Sequence, residues 1–135
     1  MIIGVGTDLV YIPRIAETFE RQGQKFLDRC FTADEITYAL SSGRVETQAA
    51  RLAKRWAAKE ACAKAMGSGI AETVTLKDIG VLHHPNKTPY LKLTGGAGAQ
   101  LKSLAGDGAT PVIHLSLTDD GDYAQAFVVL SAKKD

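Results

Sequence analysis

Residues 55–69 read RWAAKEACAKAMGSG, and this stretch decides the fold of the middle of the chain. It is rich in alanine, contains no proline and closes on Gly67, so it predicts a helix over about 48–66 that ends in a glycine cap. At about 3.6 residues per turn, the positions that share the apolar face are Ala49, Leu52, Ala53, Trp56, Ala63 and Gly67. Glu60 lies near the centre of that face, while the basic positions that point elsewhere are Arg51, Lys54, Arg55 and Lys59. A carboxylate on the buried side of a helix needs an explanation.

The composition predicts one globular domain, residues 1–135, without the bulk charge of a nucleic-acid binder. Hydrophobic residues make up 45% of the chain, and 16 basic against 15 acidic residues give a net charge of +1. Cys30 and Cys62 have neither metal-site spacing nor a disulfide framework, which indicates reduced thiols. The start of the chain lacks a basic leader region, and no apolar run is long enough to span a bilayer. We therefore expect a cytoplasmic protein.

The first strand places one carboxylate on an almost bare face. In residues 2–10, IIGVGTDLV, the period of two puts Gly4, Gly6 and Asp8 on the same side. Glycines on a strand face make room for close approach of a ligand, so Asp8 is a candidate binding residue. The alternative is that this aspartate merely caps a turn.

The order of the other elements predicts an α+β fold, an antiparallel sheet with packed helices that the N-terminal strand joins. A helix begins at Pro13 and weakens or ends at Gly23, and a second begins at Thr32, which has capping-box spacing with Glu35. From Val74 onward, the pattern is strand, turn, strand, short helix, strand, turn and strand.

Two interpretations of Glu60 are open on the residues alone. Lys64 follows it at i+4, so an ordinary helix ion pair is the default. The other interpretation is that Asp8 and Glu60 together bind Mg²⁺, which is commonly held by carboxylates, water and substrate phosphates. Lys59, Lys64 and Arg55 on the same helix, with free amides in the Gly-Ser-Gly segment 67–69 after it, favour a phosphate ligand.

Other polar residues give weaker signals. His114 lies in a predicted strand with Ser116 and Thr118 on its face, where a structural or exposed histidine is more common than a catalytic one. His83 and His84 precede a proline in a predicted hairpin loop, so we expect them to be exposed. The first helix carries a mostly basic stripe at Arg14, Thr18, Arg21 and Lys25, provided that it continues past Gly23. The stripe is either a solvated face or a docking surface for an acidic protein.

The residues resemble one family across essentially the whole chain. The blocks that carry the match are GVGTDLV at 4–10, RWAAKEACAKAMGSG at 55–69 and IHLSLTDDGDYAQAFVVL at 113–130. In order and spacing they are similar to the holo-[acyl-carrier-protein] synthase family, the bacterial 4'-phosphopantetheinyl transferases of fatty-acid synthesis. The resemblance implies the fold of that family.

The resemblance also implies roles for individual residues. Asp8 and Glu60 would bind Mg²⁺, which bridges them to the pyrophosphate of coenzyme A, and Lys64 would lie by the same phosphates. The residues implied at the nucleotide are Arg55 and His114 near its phosphate end and Gly67, Ser68 and Gly69 along its site. Arg14 and Arg21 would dock the acidic helix of the carrier protein. Relatives commonly carry a second histidine after the strand of His114, whereas Thr118 and Asp119 stand in this part of the chain.

The implied reaction is attack by a serine hydroxyl of the apo acyl carrier protein on the phosphate attached to pantetheine, with adenosine 3',5'-bisphosphate leaving. The serine proton goes to a metal-bound water or to a carboxylate, for which Glu60 is the candidate. Short members of the family form trimers with active sites at the subunit boundaries, so a homotrimer is expected. Two other functions stay open: a module that binds coenzyme A or a carrier without transfer, and a Mg²⁺-dependent hydrolase of coenzyme A.

Overall fold

The computed structural model describes residues 1–135 and contains five α-helices and five β-strands. The helices are α1 (Ile12–Gln22), α2 (Gln24–Cys30), α3 (Ala33–Leu40), α4 (Val45–Ala65) and α5 (Gly95–Ala105). The strands are β1 (Ile2–Tyr11), β2 (Ile79–His83), β3 (Pro89–Leu93), β4 (Ala109–Asp120) and β5 (Tyr123–Lys134), and a short 3₁₀ helix (Leu76–Asp78) precedes β2. The predicted α+β order is confirmed.

The strands form two antiparallel sheets. One sheet has the order β1-β5-β4, so the first strand of the chain pairs with the last, as the sequence predicts. Asp8 stands opposite Ala126 in this register, on the face that α4 covers. Strands β2 and β3 form a separate hairpin rather than an extension of the first sheet.

Helix α4 packs directly against the backbone of β1. A Cβ atom at Gly6 would overlap the carbonyl oxygen of Ala61, and one at Gly4 would overlap that of Ala65. The glycines of β1 therefore admit the helix, and the prediction that they make room for a ligand is wrong for Gly4 and Gly6. Asp8, the next residue on that face, lies just beyond this contact.

The second half of α4 is buried on almost every side because it is the central element of the core. It contacts β1 and β5 on one side and α3, β2 and the 3₁₀ helix on the other. Its small residues Ala57, Ala58 and Ala61 allow this close packing. Arg55 and Lys59, which the sequence pattern places away from the apolar face, are buried as well and only 2% and 0% exposed.

The helix boundaries follow the predicted signals. The Thr32 hydroxyl and the Glu35 carboxylate form the complete capping box of α3. Gly23 adopts a φ of 57°, which ends α1 and separates it from α2. Lys25 consequently belongs to α2, so the basic stripe of the first helix stops at Arg21. None of the helices has both the length and the apolar character that crossing a membrane requires.

Candidate active site

A cleft of about 320 Å³ opens where β1, α1, α2 and α4 meet. Asp8 enters it from β1 and Glu60 from α4, so the structure brings together the carboxylates that the sequence singles out. They reach the same cleft because α4 lies so close to the glycines of β1. The basic wall of the cleft is Arg14 from α1 and Arg29 from α2. Its size is in the range of small-ligand sites.

Lys64 pairs with Asp8 and not with Glu60. Its Nζ lies 2.9 Å from Asp8 Oδ1 and donates a second hydrogen bond to the carbonyl oxygen of Thr7 at 3.1 Å. The default interpretation of Lys64 as an i+4 helix partner of Glu60 is therefore wrong. Lys64 does not itself line the cleft, but its half-exposed ammonium group lies against Asp8, which does, and an anion can reach it there.

Glu60 is a carboxylate in an unfavourable position. Partial burial raises its pKa above the ordinary value, the negative charge of Asp8 raises it further, and the positive charge of Lys64 opposes both effects. The charge of Asp8 thus disfavours the ionised form of Glu60, so the two carboxylates interact within the cleft. Such a pair of carboxylates attracts a cation.

The rest of the cleft is apolar with one basic edge. Phe26 and Trp56 form its floor, with ring centroids 6.0 Å apart. Arg29, which donates to Gln22 at 2.8 Å, lies in the cleft near Arg14. Sequence reasoning missed Arg29, although its position four residues after Lys25 is a signal that the basic stripe continues on the next helix.

The Gly-Ser-Gly segment serves first as the C-cap of α4. Gly67 and Gly69 both have positive φ, and their amides donate to the carbonyl oxygens of Lys64 and Ala63. The prediction that these glycine amides are free for an anion is wrong, because both already donate to the end of α4. The Ser68 hydroxyl donates to the carbonyl oxygen of Gly69 and is exposed.

Arg55 lies on the other side of α4, away from the cleft. Its guanidinium donates to the carbonyl oxygen of Arg51 and lies 3.1 Å from His83 Nε2, with the ring of Tyr38 stacked over it. Its Nε has no partner, and burial lowers the pKa of the side chain. The predicted exposure is confirmed for His84 but wrong for His83, which is partly buried. Desolvation lowers the pKa of His83, and the positive charge of Arg55 lowers it further.

His114 also lies apart from Asp8 within one chain. It is exposed on β4, on the sheet face opposite the one that α4 covers, and its Nε2 lies 3.5 Å from Ser131 Oγ. The same outer face exposes Val5 (54%), Leu9 (62%) and Phe127 (47%). A single chain therefore assembles Asp8, Glu60 and Lys64 without His114, and leaves an apolar sheet face uncovered.

Comparison with known proteins gives one consistent result. Residues 4–128 match the 4'-phosphopantetheinyl transferase superfamily. The holo-[acyl-carrier-protein] synthase of Brucella ovis is 52% identical over 132 residues, which cover 98% of this chain and 96% of that protein. The crystal structure of the Neisseria meningitidis holo-[acyl-carrier-protein] synthase is similar with a TM-score of 0.79 and 34% identity, covering 97% of this chain and 99% of that one. The Helicobacter pylori enzyme, solved in complex with coenzyme A, is similar with a TM-score of 0.78 and 28% identity, covering 94% of this chain and 99% of that one.

Proposed function

The chain belongs to the 4'-phosphopantetheinyl transferase superfamily, and we propose that it is a holo-[acyl-carrier-protein] synthase that acts in fatty-acid synthesis, with residues 1–135 as its single transferase domain. It transfers 4'-phosphopantetheine from coenzyme A to a serine of apo acyl carrier protein. The observation that carries the proposal is that Asp8 and Glu60 line one cleft and that Lys64 binds Asp8 from beside it. Two acidic groups beside an accessible ammonium group match the demands of phosphoryl transfer.

The residues of the cleft fit a magnesium ion. No cluster of three or more metal-binding side chains exists in the chain, so the candidate ligands are Asp8 and Glu60 alone. Mg²⁺ is commonly bound by one or two carboxylates and completed by substrate phosphates and water. A bound Mg²⁺ would supply Lewis-acid neutralisation of the phosphoryl oxygens.

The chain's own side chains account for the remaining steps. The serine oxygen of the carrier forms a bond to the phosphorus next to pantetheine, and the bond from that phosphorus to the bridging oxygen breaks, releasing adenosine 3',5'-bisphosphate. Lys64 neutralises the phosphates of coenzyme A from beside the cleft. Glu60 is our candidate for the acceptor of the serine proton, because it is the carboxylate whose pKa the cleft raises. Gly67, Ser68 and Gly69, which begin three residues after Lys64, line the nucleotide.

The carrier protein docks on the basic edge of the cleft. Arg14 lines the cleft, and Arg21 is exposed further along α1. An acidic carrier approaching this edge brings its serine toward Asp8 and Glu60. Charges of this kind mainly steer association and set the orientation of the complex.

The outer sheet face supports assembly into a homotrimer with sites at the subunit boundaries. Exposed apolar patches of this kind mark protein interfaces. Since His114 lies on this face, it would reach the nucleotide phosphates of a neighbouring copy, whereas Arg55 is buried on another side of α4 and does not reach this face from its position in the structure. Free, buried Cys30 and Cys62 are consistent with a cytoplasmic location.

Intact-mass spectrometry of a carrier protein tests the proposal. Purified chain, coenzyme A, Mg²⁺ and apo acyl carrier protein are mixed, with an EDTA sample as control. We expect the carrier to gain one phosphopantetheine group and the gain to disappear with EDTA. Cleaved coenzyme A with an unmodified carrier would instead indicate a hydrolase. An unmodified carrier with intact coenzyme A would indicate a binding module.

A further inference from the structure

Lys59 is fully buried, and every hydrogen of its ammonium group is donated. Its Nζ lies 2.7 Å from Glu35 Oε1, 2.6 Å from the carbonyl oxygen of Ile79 and 2.9 Å from that of Leu76. Both side chains of the Glu35–Lys59 pair have 0% exposure. This cation cannot reach a substrate phosphate, which corrects the interpretation of Lys59 as part of a phosphate-binding group.

The carboxylate of Glu35 is equally occupied. Its Oε1 also accepts from the amide of Thr32 at 2.8 Å, and its Oε2 accepts from the amide of Val81 at 3.0 Å. The Glu35–Lys59 pair therefore joins the start of α3, the middle of α4, the 3₁₀ helix and β2 at one point. No hydrogen-bonding group of the pair is left without a partner.

The pair is adjacent in the chain to the candidate metal ligand. Lys59 precedes Glu60, and consecutive helical side chains are separated by about 100° around the helix axis. On another side of α4, the carbonyl oxygen of Ala61 abuts Gly6. With the helix held at both places, α4 can neither rotate nor slide without breaking a buried contact. The direction in which Glu60 enters the cleft is fixed by these contacts.

The same ammonium group holds the segment that returns from the nucleotide site. The loop of residues 66–75 leaves α4 with Gly67–Gly69 and ends at Leu76, whose carbonyl oxygen Lys59 binds. One end of this loop is the C-terminus of α4, and the other is anchored to the middle of α4. Lys59 thus ties the loop to the helix that carries Glu60 and Lys64.

Stability alone is a poor explanation of such a pair. Buried ion pairs are often no more stabilising than well-packed apolar residues of the same volume, whereas loss of one partner is costly. We propose that Lys59 and Glu35 are positioning residues for the transfer reaction, which fix Glu60 toward Asp8 and anchor the loop 66–75. This inference rests on the proposed function for its activity readout only.

The test compares the single variant Lys59→Met with the double variant Lys59→Met/Glu35→Gln. The single variant should have a lower melting temperature, because it leaves the charge of Glu35 buried without a cation, and the double variant should recover part of the loss. In the folded double variant, we expect kcat to fall about tenfold or more, since small misplacements of reacting groups have effects of that order. The dissociation constant of Mn²⁺, followed by electron paramagnetic resonance, should rise. The KM for the carrier should stay unchanged because α1 is not touched.

A matched control and a second variant keep the proposal open to contradiction. The matched pair Lys54→Met/Asp119→Asn removes an ion pair of 3.0 Å from the same helix and should change neither kcat nor Mn²⁺ affinity. If the double variant does not fold, Glu35→Asp, which keeps a carboxylate for Lys59 but shortens its reach, should lower both kcat and Mn²⁺ affinity. A folded variant with kcat and Mn²⁺ affinity of the wild type would overturn the proposal. If the wild-type chain itself transfers nothing, the proposed function fails, while the Mn²⁺ comparison still tests the positioning.

Discussion

Lys64 Nζ lies 2.9 Å from Asp8 Oδ1, so the lysine implied for the phosphates is paired with an aspartate implied for the metal. The ion pair holds the end of α4 to β1. If the proposed roles are correct, a bound cation would replace the ammonium group beside Asp8, and Lys64 would be released to bind the phosphates. On this proposal, Lys64 and the cation compete for Asp8.

Replacing Lys64 should have opposite effects on the binding of the cation and of the phosphates. Lys64→Met frees Asp8 and should tighten Mn²⁺ binding about two- to fivefold, as expected from an ion pair worth up to about 1 kcal/mol. The same change should weaken coenzyme A binding, measured by calorimetry, because a phosphate partner is lost. Lys54→Met, which breaks an ion pair with Asp119 on the same helix, serves as the control. Changes of both affinities in one direction would refute the exchange.

Glu60→Gln should stabilise the chain while removing its activity. Because the folded pKa of Glu60 lies above its ordinary value of 4.5, the contribution of this group to stability is present below that value and is lost as pH rises through the folded pKa. The melting temperature of the variant should equal that of the wild type in acid and exceed it at neutral pH. Mg²⁺-dependent transfer should fall about a hundredfold or more. Full turnover by the variant would exclude Glu60 as a metal ligand.

Arg21→Glu should weaken carrier docking without affecting coenzyme A. Reversing a charge at the edge of an interface mainly changes association, so we expect the KM for the carrier to rise about tenfold at low salt and the effect to shrink as salt is added. Arg14→Glu should act in the same direction. Arg44→Glu makes the same charge change at an exposed position at the start of α4. Equal losses in the Arg21 and Arg44 variants would contradict a local docking surface.

Phe127→Glu should prevent assembly of the homotrimer. The side chain is half exposed in the single chain, so a glutamate there is tolerated by the fold but places a charge in the middle of the apolar sheet face. Light scattering after size exclusion should give a trimer mass for the wild type and a monomer mass for the variant. Val45→Glu alters an apolar residue that is more exposed than Phe127, at 67% against 47%, and that lies outside the sheet, so it should leave the trimer intact. A wild-type monomer with full activity would disprove the shared site.

Gly6→Ala should destabilise the fold strongly. The added Cβ would overlap the carbonyl oxygen of Ala61 and come within 2.7 Å of the amide nitrogen of Ala65, and neither backbone atom can move without shifting α4. Overpacking of this kind costs about 1–3 kcal/mol or more in the free energy of unfolding, measurable by urea denaturation. Gly43→Ala meets no atom within 4 Å and should be nearly neutral. Similar losses in both variants would argue against the backbone contact.

Local signals predicted the elements of this fold well, because each depends on a few neighbouring residues. The capping box of Thr32 and Glu35 and the break at Gly23 are of this kind. The sequence predicted that Asp8 and Glu60 belong to one site, because each is an acidic residue on an apolar or glycine-rich face.

The surroundings of α4 could not be predicted in the same way. The pattern of residues in a helix predicts one buried side and one exposed side. In α4, contacts from both sheets and from α3 also bury positions on the side predicted to be exposed. Lys59 is buried because Glu35 and two carbonyl oxygens meet it, and these groups come from distant parts of the chain. Lys64 likewise binds Asp8 on β1, which is distant in the chain, so the helix pattern does not reveal this partner.

Strand β1 has one neighbour in its sheet, and that neighbour is β5, the last strand of the chain. During synthesis on a ribosome, Asp8 emerges well before the strand that holds it in register. A nascent chain that already contains Asp8, Glu60 and Lys64 therefore lacks the support that brings Asp8 to the cleft. Strand β1 has no neighbour in its sheet until β5 has been made, and such non-local pairing forms slowly. Translation that stops before Tyr123 therefore yields a chain without the assembled cleft.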